Sequence, residues 1–119
     1  MQVTVTDFAK DRVIMNVTGT TADELENKIT LFFSSEGYKL KSHEGETYTY
    51  TKGNRTLRIL FGAFAKFHKQ SVVVKQEGDL FSVMLHKDST GMSGGLIGMN
   101  QVKKEFARLS EGFKNYLKG

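Results

Sequence analysis

The stretch Val72-Val73-Val74-Lys75-Gln76-Glu77-Gly78-Asp79-Leu80-Phe81-Ser82-Val83-Met84-Leu85 holds two strand-like runs parted by Gly78-Asp79, and its reading decides the fold. Phe81, Val83 and Leu85 recur every second residue, the period of a half-buried strand. So short a turn can join only antiparallel neighbours. The same pattern continues upstream. Gly53-Asn54 sets off Leu57, Ile59 and Phe61, and Glu44-Gly45 separates Tyr38 and Leu40 from Tyr48 and Tyr50. Further upstream, Val13, Met15 and Val17 alternate with Ile14, Asn16 and Thr18, and Val3 and Val5 form a shorter run suited to a sheet edge.

Two segments change period. Thr21-x-x-Glu24 is a capping box, in which hydroxyl and carboxylate satisfy the first free amides of a helix. Leu25, Ile29, Phe32 and Phe33 follow at helical spacing, and Gly37 suits the left-handed residue that ends such a helix, predicting one over residues 22–36. Near the C-terminus Val102, Phe106, Leu109, Phe113 and Leu117 step by four, three, four and four, which makes one apolar stripe. Residues 91–100, dense in glycine, read as the loop before it. The expectation is therefore an α+β fold, an antiparallel meander of roughly five to seven strands. One helix follows the first strands, another closes the chain, and both pack on one face.

The 119 residues fit a single domain spanning 1–119, and no linker or low-complexity block divides them. With no cysteine, disulfides, thiolate zinc sites and thiol nucleophiles are excluded, so the fold rests on packing. Residues 1–8 have neither the basic nor the apolar stretch of a secretory signal. No run approaches the ~18 apolar residues of a membrane span. A cytoplasmic protein without a transmembrane segment is expected.

Several patterns bear on chemistry. Gly91-Met92-Ser93-Gly94-Gly95 matches G-x-S-x-G, yet no His or Asp follows Ser93, so a nucleophile with its base and acid cannot be assembled in the usual order. A glycine turn opening a helix also points free amides at the positive end of the helix dipole. Gly91, Ser93, Gly94 and Gly95 are therefore candidate binding residues, although the Gly-Lys-Ser/Thr of a phosphate loop is missing. Leu96, Ile97 and Met99, within the same stretch, suit burial under the sheet or an adaptable surface for a partner. Ala63-Phe64-Ala65-Lys66-Phe67 resembles the tail of the RNA-recognition motif's aromatic consensus, but Leu60, Phe61 and Gly62 depart from its head, which disfavours nucleic acid.

The net charge of +4 gives mild support to an acidic partner. Lys103, Lys104 and Arg108 project opposite the apolar stripe of the last helix and join the candidate binding set; Lys114 and Lys118 lie on the same side. Lys66, His68 and Lys69 form a second basic cluster. His43, His68 and His86 show no ligand spacing, and the carboxylates Glu44, Glu46, Glu77 and Asp79 fall in turns, so neither a metal nor a cofactor is expected.

The order of elements, one helix, a meander and a glycine-led C-terminal helix, resembles the helix-grip arrangement of small START-like lipid-binding domains. That resemblance covers element order alone; a TBP-like or ferredoxin-derived sheet is the nearest rival. The favoured expectation is a non-enzymatic interaction module that binds another protein or an anionic, membrane-proximal surface. The alternative, which the helix-grip likeness implies, is a carrier of a small apolar ligand lined by Tyr48, Tyr50, Phe64 and Phe106.

Overall fold

A computed structural model describes residues 1–53, 67–87 and 95–119. Its elements are β1 (Gln2–Phe8), β2 (Arg12–Thr18), α1 (Ala22–Ser35), β3 (Lys39–Glu44), β4 (Thr47–Gly53), β5 (Phe67–Glu77), β6 (Leu80–Lys87) and α2 (Gly95–Lys118). The strands form one antiparallel sheet in the order β1-β2-β6-β5-β4-β3. The expected α+β fold is observed, with one rearrangement of the meander. The β1–β2 hairpin stands apart from the β3–β6 meander in sequence, and β2 joins it through β6, pairing Val13 with Leu85 and Val17 with Phe81. Helix α1 makes the crossover. Its 14 residues extend about 21 Å, close to the ~19 Å of four strand spacings separating β2 from β3.

Both helices lie on the sheet face that carries Val13, Met15, Val17, Val72, Phe81, Val83 and Leu85, all buried. Leu25, Ile29, Phe32 and Phe33 from α1, and Phe106, Leu109, Phe113 and Leu117 from α2, complete the same core. Phe33 sits at its centre, stacked on Tyr50 at 4.1 Å between ring centroids and meeting Phe32, Tyr38 and Phe113 edge-on or tilted. Such offset aromatic contacts add about 0.5–1.5 kcal/mol each beyond the area they bury.

Three expectations change in detail. β1 is a full seven-residue strand, not a short segment. Helix α2 begins at Gly95, so the last part of the expected glycine loop is helical; a glycine in a helix costs only about 1 kcal/mol, and a long helix packed along the sheet absorbs it. Leu40, expected to alternate inward with Tyr38, stands opposite the buried Tyr50 yet is 43% exposed, because β3 is an edge strand with a neighbour on one side only. The strand expected from Leu57, Ile59 and Phe61, and the residues from Ala63 to Lys66, lie outside the described residues.

Candidate functional site

A groove opens where the β1–β2 turn, the end of β6 and the middle of α2 meet. The turn is closed by the Ala9 amide donating to the Arg12 carbonyl at 2.8 Å, and the Lys87 amide donates to the Asp11 carbonyl at 3.0 Å, tying β6 to it. On α2, Lys103, Ala107, Ser110 and Glu111 recur at one-turn and two-turn spacing, which brings them to one side of the helix. With Phe8, Lys10 and Lys87 they bound a cavity of about 810 Å³. That size lies in the range of ligand sites.

A β-bulge shapes the groove. The β1–β2 register shifts between Val5 and Asp7, so Phe8 comes opposite Val13 and turns toward the helix side of the sheet. There Phe8 is 46% exposed, with Lys114 Nζ 4.6 Å from the ring centroid. The acidic residues here are engaged: Asp11 with Arg12 at 3.2 Å and Glu111 with Lys114 at 3.1 Å. Lys10, Lys87 and Lys103 form no ion pair among the described residues. The groove thus combines an apolar floor of Phe8, Ala9 and Ala107 with a rim of positive charge.

A polar cluster holds α2 beside the groove. Tyr38, buried just before β3, donates from Oη to Glu105 Oε2 at 2.6 Å, and Gln70 Nε2 donates to Tyr38 Oη at 3.3 Å. Arg108 clamps the same carboxylate with two hydrogen bonds of 3.1 Å and reaches Glu36 Oε2 at 2.7 Å. Lys52 Nζ lies 3.9 Å from Glu105 and 5.6 Å from the Tyr38 ring centre. Burial pushes the Tyr38 hydroxyl far above its ordinary pKa, and its bond to Glu105 adds to this. Burial alone would raise Glu105 too, but hydrogen bonds from Tyr38 and Arg108, with the charges of Arg108 and His68, outweigh it and hold the carboxyl below its ordinary value. The cluster is a strut between helix and sheet.

The expected binding residues separate accordingly. Lys103 lines the groove and Lys104 is exposed on α2, whereas Arg108 is committed to Glu36 and Glu105. Gly95 is the first residue of α2; Gly91, Ser93 and Gly94 lie outside the described residues. Of the expected lining set, Tyr50 and Phe106 are buried in the core, and Tyr50 Oη shares a 3.0 Å hydrogen bond with Thr30. Tyr48 instead borders a separate cavity of about 130 Å³ with Ala22, Glu26 and Phe81. Phe64 lies outside the described residues. From the second basic cluster His68 turns inward and is buried.

Sequence reading missed Phe8, Lys10 and Lys87. The one available signal was Phe8, an aromatic standing out of phase with Val3 and Val5. No group of three or more metal-ligating side chains gathers among the described residues, and no helix there is long and apolar enough to cross a membrane. No known protein family matches the chain, and no characterised protein matches it significantly.

Proposed function

We propose that this protein is a small non-enzymatic binding module whose groove takes an acidic polypeptide segment carrying an apolar side chain. The observation that carries this reading is the rim of Lys10, Lys87 and Lys103, without ion pairs among the described residues, around the exposed Phe8. Lysines held at a concave apolar surface gain more from an anionic partner than from solvent, and aromatic floors anchor side chains. The chain's lack of cysteine suits a cytoplasmic setting.

A labelled short peptide of Glu and Leu, titrated by fluorescence anisotropy at low and high salt, tests the proposal. Binding is expected to weaken with salt, and Lys103→Glu or Lys87→Glu should each weaken it about five- to tenfold. Absence of binding at low salt, or equal binding by the reversed-charge variants, would overturn it. The same titration with a fatty acid addresses the carrier reading, which the size of the groove favours. Salt-insensitive capture of the fatty acid in preference to the peptide would replace the acidic-segment reading with that one.

A further inference from the structure

The two edges of the sheet are unlike. β3 carries Lys39, Lys41 and Glu44, has a register irregularity at its start, and exposes nearly all its side chains. Charges and irregularities of this kind are how an edge strand discourages pairing with another chain. β1 has a regular register against β2 from Gln2 to Val5, and residues 2–6 read Gln-Val-Thr-Val-Thr, without charge, proline or glycine. Among the described residues it pairs with β2 alone. The bulge that aims Phe8 into the groove begins only after Val5.

We propose that β1 is a homodimer seam, in which two copies pair β1 with β1 antiparallel and fuse their sheets. Only registers that keep residues on matching faces are allowed, since opposed residues in an antiparallel pair share a face. Centring the twofold axis on Thr4 engages the whole regular run and the residue just past it: Thr4 faces Thr4, Val3 faces Val5, and Gln2 faces Thr6. The threonines then match on the outer face. The valines, which pack against the core but stay partly exposed in the single chain, meet on the helix side and become more fully covered. β-branched cross-strand pairs favour such a join, and no like charges meet across the central run. At β3 a second copy would bring lysines together. Asp7, the first charge beyond the run, is held within its own chain by Arg12 at 2.7 Å.

Sedimentation velocity over a micromolar to millimolar range tests the seam. The unaltered protein should convert reversibly from monomer to dimer as concentration rises. Thr4 is exposed, so Thr4→Lys and Thr4→Glu alter the surface without disturbing the core. Each variant alone should raise the dimer dissociation constant at least about fivefold, because like charges meet on the axis. An equimolar mixture of the two should restore dimerisation through Lys–Glu pairing, which no loss of folding could produce. Lys41→Glu, on the other edge, should change nothing. A protein monomeric throughout, a dimer indifferent to Thr4→Lys, a mixture that stays monomeric, or a dimer disrupted by Lys41→Glu would each overturn the proposal.

Discussion

Glu105 shows how a single side chain can be both buried and useful. It stands on α2 three residues from Arg108, an ordinary helix pair worth a few tenths of a kcal/mol in the open, but Tyr38 and Lys52 reach it from the sheet side. Its carboxyl pKa is depressed in the folded protein. The carboxylate therefore contributes stability at pH values above its unfolded pKa of about 4.3, and that contribution is lost as pH falls through the lower folded value. Glu105→Gln should cost about 1–2 kcal/mol at neutral pH, and its urea denaturation curve should converge on that of the unaltered protein as pH drops into the acid range. Curves that stay equally far apart at every pH would show that packing, not charge, is what Glu105 supplies. Tyr38→Phe keeps the ring against Phe33 and removes only the hydroxyl, so a loss of about 1–2 kcal/mol at neutral pH is expected.

At the scale of elements, α1 is framed by two ends of different character. Thr21 Oγ1 accepts from the Glu24 amide at 3.2 Å as the capping box requires, but the Glu24 carboxylate accepts from the Thr20 hydroxyl at 3.0 Å. At the other end the Tyr38 amide donates to the Phe33 carbonyl at 2.8 Å and the Gly37 amide to Ser34 at 3.1 Å, the paired bonds of a Schellman motif. Gly37 has φ of 86°, and a Cβ there would meet Lys52 Cε at an ordinary 3.5 Å. The cost of Gly37→Ala is thus conformational, about 1–2 kcal/mol. Gly37→Asn should lose less because asparagine tolerates the left-handed region, and thermal denaturation of the pair would expose a steric origin if both lost equally.

These ends were legible because caps and breakers act through near neighbours, and the apolar stripes of both helices were legible for the same reason. What escaped was decided by distant residues. Nothing near β2 says that β6 is its partner, and Tyr38 and Glu105 lie 67 residues apart. The groove was half readable: Lys103 stood out by its place on α2, whereas Phe8 and Lys87 gained meaning only from a bulge and a strand pairing. Arg108 misled for a related reason. Its charge is visible in the sequence, but the carboxylates that consume it arrive from α1 and from its own helix turn.

For the molecule as a whole, the absence of cysteine means that no crosslink holds sheet and helices together, so cohesion rests on one aromatic-rich cluster. Phe33 is fully buried and touches residues from α1, α2, β4 and the link before β3. Truncating a buried Phe to Ala removes its transfer energy and leaves a cavity, together about 3–5 kcal/mol, a large share of the 5–15 kcal/mol that keeps such a domain folded. Because the ring links both layers, Phe33→Ala should lower the melting temperature of helices and sheet alike. Far-ultraviolet circular dichroism reports mainly the helices, while tyrosine absorbance, read in a Tyr116→Phe background that removes the tyrosine of α2, reports Tyr38, Tyr48 and Tyr50, of which Tyr38 and Tyr50 contact this ring from the sheet side. In a chain that unfolds as one cooperative unit the two signals coincide in both proteins. If they separate in the unaltered protein, the helices and sheet are independent layers; if they separate only in Phe33→Ala, this ring is the joint that makes them one.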